Sequence, residues 1–208
     1  MATHSGLVLL ARALVDVGFR KRVGQVFTAE LAGGQLGWVG VNVASRSGVP
    51  GQVVLNPVVG LRDQGIERIV AEGRGEKFHP YLPPTVSSPL RYLQPTAMRA
   101  EWILKSSPDD AAVVAAVVAA IENVGWAFFD QHRDLGRLVT ALEGARAGDI
   151  QAAYRWPVAM ARQGSWAAAR TAAEVVETEL DGREDIAAAE LKAFLGWFRR
   201  VRPGQDSL

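Results

Sequence analysis

Phe19-Arg-Lys-Arg-Val-Gly-Gln-Val-Phe-Thr-Ala-Glu-Leu31, an Ala-Gly-Gly-Gln link, and Leu36-Gly-Trp-Val-Gly-Val-Asn-Val-Ala44 read as two strands about a turn. Gly33-Gly34 supplies the positive φ values of a two-residue hairpin loop. Pairing across it sets Leu31 opposite Leu36, Ala29 opposite Trp38, Phe27 opposite Gly40 and Gln25 opposite Asn42. Phe19, Val23, Phe27, Leu31, Leu36 and Trp38 then share an apolar face. The other face carries Arg20, Arg22, Thr28 and Glu30 with Val26, Val39, Val41 and Val43, so it is mixed.

Before the hairpin, Leu7, Leu10, Leu14 and Val17 recur at helical spacing, with Ser5 as cap and Gly18 as stop. After it, Ser45–Gln52 reads as a loop and Val53–Leu61 as a third strand. Pro57 marks that strand as an edge or a bulge. Asp63–Glu72 reads as a helix with Ile66, Ile69 and Val70 inward, and Gly73–Val86 as irregular chain. Leu90–Leu93 and Met98–Leu104 read as two short strands joined by Gln94-Pro95-Thr96. From Pro108 the periodicity is helical throughout. Ser107 caps the first helix, whose buried stripe is Val113, Val114, Val117, Val118, Ile121 and Val124, and Gly125 ends it. Helices over Trp126–His132, Leu135–Ala145, Ile150–Arg162, Trp166–Leu180 and Asp185–Arg200 follow, then a frayed tail, Pro203–Leu208. The expected class is α+β: an antiparallel sheet of four or five strands with packed helices over residues 1–146. A C-terminal three-helix extension follows over 147–208, and whether the two share one core is left open.

At 208 residues, with 49% hydrophobic and 22% charged side chains, the chain has the balance of a globular protein and not of a disordered one. Twenty-three Lys and Arg against 22 Asp and Glu leave a net charge of +1, which argues against a dedicated nucleic-acid binder. The charge is unevenly spread, +5 over residues 1–105 and −4 over 106–208. There is no Cys, which excludes disulfides, thiolate zinc sites, iron–sulfur clusters and cysteine nucleophiles. The apolar run Leu7–Val15 is broken by Arg12 and preceded by no positive charge, so no signal peptide is expected. Ala111–Ile121 is uncharged but short of the roughly 20 residues a membrane span needs. A soluble cytoplasmic protein is the expectation, with no membrane partner.

Phosphate loops, dinucleotide fingerprints, nucleophile elbows, His-Glu-x-x-His and calcium loops are absent from the sequence. Of His4, His79 and His132, the second is the most site-like. It lies in Lys77-Phe-His-Pro-Tyr81, with Arg91 and Tyr92 further on, a set able to do acid–base work or hold an anion. The competing explanation is a loop pinned by its aromatics. His132 stands between Asp130 and Asp134 at a helix junction, too few ligands for a metal. Arg20-Lys21-Arg22 is the densest basic cluster, but strand geometry puts Lys21 on the opposite face from its neighbours. Trp156, Trp166 and Trp197 all fall in the last three helices, as core residues or as partner contacts.

Over residues 7–145 the chain resembles an uncharacterised bacterial domain-of-unknown-function family. The resemblance rests on the opening helix and Gly18-Phe19-Arg20-Lys21 entering a hairpin. It extends to Trp38-Val-Gly-Val-Asn42, Val54-Leu-Asn-Pro-Val-Val-Gly60, the Trp102 strand and the Asp130–Leu142 segment. It implies no catalytic residues, and it implies the company of bacterial toxin-immunity proteins. Tyr154–Gly164 with Trp166–Arg170 looks like one tetratricopeptide-type hairpin, although a single copy makes no solenoid and an ordinary antiparallel pair explains it. The reading preferred on these grounds is a non-enzymatic protein-binding module, an immunity-type inhibitor or adaptor, with no cofactor and no metal. Its candidate contacts are Arg20, Arg22, His79, Tyr81, Arg91, Trp156, Trp166 and Trp197. An enzyme centred on His79, Tyr81 and Arg91, and a weak nucleic-acid binder using the basic first half, are the alternatives.

Overall fold

A computed structural model of the chain describes residues 5–45, 49, 51–98 and 101–200. His4, part of the Ser45–Gln52 loop, Arg99 and the tail Pro203–Leu208 lie outside the described residues. The fold is α+β. In order come α1 (Ser5–Asp16), β1 (Arg20–Lys21), β2 (Val26–Glu30), β3 (Gln35–Ser45), β4 (Val53–Asp63), α2 (Gln64–Gly73), β5 (Val86–Pro89), α3 (Leu90–Leu93) and β6 (Trp102–Leu104). Then follow α4 (Asp110–Ala120), α5 (Trp126–His132), α6 (Leu135–Ala145), α7 (Ile150–Arg162), α8 (Trp166–Glu179) and α9 (Ile186–Arg200). The strands form one sheet in the order β1-β2-β3-β4-β5, with β6 pairing antiparallel to β4.

The chain divides into two compact units. One takes Met1–Leu61 and Ser87–Asp130, the other Arg62–Val86 and Gln131–Leu208. The units part at 62, 87 and 131, whereas the sequence reading drew its line at 147.

In the first unit the hairpin forms, but one residue out of the expected register. Phe27 pairs with Val39, Thr28 with Trp38 and Ala29 with Gly37. The reason is the loop. Ala32 joins Gly33 and Gly34 in a three-residue turn closed by the Leu31 amide donating to the Gln35 carbonyl at 2.9 Å. Gly33 and Gly34 both take positive φ, 72° and 74°, which only Gly adopts at low cost. A one-residue shift exchanges faces. Phe27 therefore shares its face with Phe19, Ala29 and Val39, and Trp38 lies on the opposite face with Thr28, its ring covering Gly40. The Phe27 face packs on aromatics: Phe19 meets Trp126 at 5.7 Å and Phe129 at 6.4 Å between ring centroids. Gly37 lacks a Cβ where one would stand 2.9 Å from the Phe129 ring, so strand and helix approach closely there.

Other local expectations shift for identifiable reasons. Leu90–Leu93 is a helical turn and not a strand; Pro89 precedes it and the extended pairing ends there as β5. Of the expected strand Met98–Leu104 only Trp102–Leu104 pairs, and Met98 ends a separate 3-10 turn. β4 is an interior strand, and the β6 ladder covers only Val53–Leu55, stopping before Pro57. α4 starts at Asp110, two residues late. The Asp110 carboxylate is buried and accepts the amides of Lys105 (2.7 Å) and Ser106 (3.1 Å), which holds the preceding loop. Gly125 does not end the helix. A π-helical turn, Ile121–Gly125, carries it into α5, and Gly125 gives Val59 room to pack. The resulting helix, Asp110–His132, is by length and composition apolar enough to cross a membrane, while Val114, Val117, Val118, Ile121 and Phe129 are buried within the fold.

In the second unit α6, α7, α8 and α9 pack in succession, and α2 rests on α7 and α9. Asp134, Asp149 and Asp63 each accept a backbone amide in the first turn of the helix that follows them. An aromatic row runs through the layer: Tyr154 on Phe194 (5.0 Å), Phe194 on Trp197 and on Phe198, and Phe198 stacked on Trp166 (6.0 Å). Ala159, Ala169, Ala172 and Ala173 are fully or nearly buried and allow close approach of α7 and α8.

Candidate functional site

The second unit contains two concentrations of polar chemistry. The first is buried. Glu67, in the first turn of α2, takes both a bidentate bond from Arg155 of α7 (2.8 and 3.2 Å) and the Thr85 hydroxyl (2.8 Å). Arg62 lies 3.5 Å from the same carboxylate. Arg62 also donates to the carbonyls of Pro83 and His79 and to the Gln64 side chain. Burial pushes the Arg62 guanidinium down to about 10, against the pull of Glu67, so it is charged at neutral pH. Asp63 caps α2 and stands 3.6 Å from Arg162. The outcome is mechanical. Two buried guanidinium groups and a carboxylate tie the 74–85 loop to α2 and α7, and the charges are consumed in doing so.

His79 belongs to this construction. It is exposed, and its Nδ1 accepts the amides of both Tyr81 and Leu82 at 3.1 Å. The imidazole thereby curls the following chain back on itself, and the Tyr81 ring meets it edge-on at 6.2 Å. The segment read as irregular chain is thus bent by its own histidine, because a side-chain acceptor three bonds from Cα competes well with solvent for the amides that follow it. Arg91, the third member of the expected set, is in the first unit. It reaches toward the Tyr92 ring (5.8 Å) and lines a cavity of only about 60 Å³ beside Glu101 and Trp102. His79→Ala is expected to lower stability by about 1–2 kcal/mol through two lost amide bonds, read in a denaturant melt. An unchanged midpoint would contradict the capping role.

The second concentration is open. The end of α6, the start of α7, the last turns of α8 and the first turns of α9 enclose a cleft of about 550 Å³. Its apolar lining includes Ile150, Ala153, Val176, Leu180 and Leu191, and Arg146, Glu179 and Arg183 supply its charge. That size is within the range of ligand-binding clefts. Arg146 is held from two sides. Its guanidinium lies 4.8 Å over the Trp156 ring and bonds Glu179 at 2.8 Å. Its Nε is buried without an acceptor, as is the Trp156 indole N–H beneath it. Arg183 grips Asp185 in a fork (2.9 and 3.1 Å), while Asp185 also caps α9 through the Ala188 amide. The Arg183 bond and the Ala188 amide hold the Asp185 carboxyl below the usual carboxylate range. A depressed acid stabilises the fold at neutral pH and loses that contribution as pH falls through its folded pKa.

The remaining sequence candidates are dispersed. Arg20 pairs with Glu30 at 2.8 Å on the strand surface and Arg22 donates to the Thr28 hydroxyl, both in the first unit. Trp156 is buried under Arg146, whereas Trp166 and Trp197 are half-buried members of the aromatic row. Among the described residues no cluster of three or more His, Asp or Glu is arranged to hold a metal. Arg146, Glu179 and Arg183 were missed because in sequence they are ordinary charges at helix ends. The Arg of Tyr154-Arg-Trp156 offered a signal, a charge inside an apolar run, but its partner Glu67 is 88 positions away. No family model, no curated protein and no solved structure matches the chain, so the family resemblance rests on its motifs alone.

Proposed function

We propose that the chain is a non-enzymatic protein-binding module, an immunity-type inhibitor or adaptor, and that its partner seats in the helical cleft. The observation that carries this reading is the cleft itself, an aliphatic floor under a guanidinium fixed by a buried indole and a carboxylate. That combination suits recognition: apolar area for affinity and a pre-positioned charge for register. The residues expected to act chemically are otherwise engaged, since the His79 acceptor holds its own loop and the Arg62–Glu67–Arg155 set holds α2 to α7.

The test is site-specific crosslinking in cells. Gly148 lines the cleft, and a side chain added there meets open space, so a photo-reactive residue at 148 leaves the fold intact. A discrete protein adduct is expected, with its yield lowered roughly tenfold or more by Arg146→Ala with Arg183→Ala. Adducts that are diffuse, or indifferent to both substitutions, would overturn the reading.

A further inference from the structure

Two helices of the first unit leave an apolar face uncovered. α1 and α4 pack side by side. Gly6 stands against Leu104 and Asp110 at one end of the pair, and Phe19 against Trp126 at the other, so the two helices run parallel. On their outer face Val8, Leu9 and Val15 of α1 are 57%, 45% and 49% exposed, and Ala112, Ala115 and Ala119 of α4 are exposed as well. From Ala111 to Ile121 the chain carries no charge, so α4 is apolar on its outer side as on its inner one. A surface helix turns charged residues to water, whereas a helix that is apolar all round is covered on both sides. The six exposed side chains present on the order of 400 Å² of apolar surface, within the range of patches that serve a function. Arg12 and Asp16 stand one turn apart on the same outer face of α1. Both are exposed, and among the described residues neither is in an ion pair. Arg ahead of Asp is the less favourable order for pairing within one helix, so both charges remain open to a partner.

We infer that the α1–α4 face binds a second copy of this chain about a two-fold axis. An axis crossing the middle of the pair sets α1 antiparallel to α1 and α4 antiparallel to α4. The reversal brings Arg12 of each copy within reach of Asp16 of the other, so one contact yields two reciprocal ion pairs. The alanines of α4 admit a close helix, as Ala159, Ala169 and Ala173 do between α7 and α8. With its polar rim the contact buries roughly 1,000 Å² in total, the lower end for a specific interface, which corresponds to a dimer of micromolar strength. Lipid suits the face less well. Asp16, Asp109 and Glu122 are exposed around it and are repelled by anionic headgroups, and alanine offers little to insert between acyl chains. The face belongs to the first unit and the helical cleft to the second, so this inference stands or falls apart from the proposed function.

The experiment is sedimentation equilibrium of the full-length protein. A reversible dimer is expected, weakened about tenfold or more by Ala115→Glu. Glu is a good helix former at an exposed position, so the melting midpoint of the dilute variant should match that of the dilute parent. Arg12→Asp and Asp16→Arg should each weaken the dimer, and the two together should restore it. Arg170→Glu, exposed on α8, should leave the association unchanged. A monomer at about 100 μM, a dimer indifferent to Ala115→Glu, or a charge exchange that restores nothing would each overturn the inference. A monomer that floats with phosphatidylserine vesicles, and ceases to do so on Ala115→Glu, would assign the face to lipid and overturn it as well.

Discussion

Glu67→Ala is expected to destabilise the protein by about 3–5 kcal/mol, a large share of the stability of an ordinary domain. The carboxylate is 5% exposed and is the common partner of Arg155, Arg62 and the Thr85 hydroxyl. Its removal leaves two buried cations, Arg62 and Arg155, without the carboxylate they share, with Asp63 the remaining opposite charge acting on Arg62, and the cost comes from that uncompensated charge more than from the bonds lost. Thr85→Val removes one bond and no charge, so it should cost far less, about 1 kcal/mol. Equilibrium denaturant melts of the two variants, compared at unchanged slope, measure the difference. A Glu67→Ala loss no larger than that of Thr85→Val would show that the cluster is not what ties the 74–85 loop to the helices.

Phe27→Ala should cost a comparable amount, about 3–5 kcal/mol, through lost burial and the cavity left behind. Phe27 is fully buried on the sheet face that carries Phe19 and Val39. The same melt decides it, and a loss below about 1 kcal/mol would mean that this face is not core. The pairing can be checked separately because the native chain has no Cys. A Thr28→Cys/Trp38→Cys variant should crosslink on oxidation, since those positions are direct partners, and an Ala29→Cys/Trp38→Cys variant should not.

That pairing also shows what the sequence could and could not reveal. The two strands, their connecting glycines and the apolar content of the hairpin were all legible, because period-two alternation and Gly-Gly are local signals. The register was not. Whether Ala32 belongs to the strand or to the loop is settled by the φ values of Gly33 and Gly34, and that single residue moves Trp38 to the other face. The helices from Leu135 onward were read to within a residue or two, since caps such as Asp134 and Asp149 are written beside the helices they start. Gly125 misled because the same residue type that stops helices also admits a close neighbour, here Val59. The cleft was illegible. Arg146 and Glu179 are 33 positions apart, and only the packing of α6, α7 and α8 brings them to 2.8 Å.

Hydrogen exchange on the protein, alone and saturated with the partner captured at position 148, tests the central claim most directly. Occupation of the cleft predicts new amide protection concentrated in residues 145–150 and 176–191. Protection confined instead to the 74–85 loop, or to the Arg20–Arg22 strand, would contradict it.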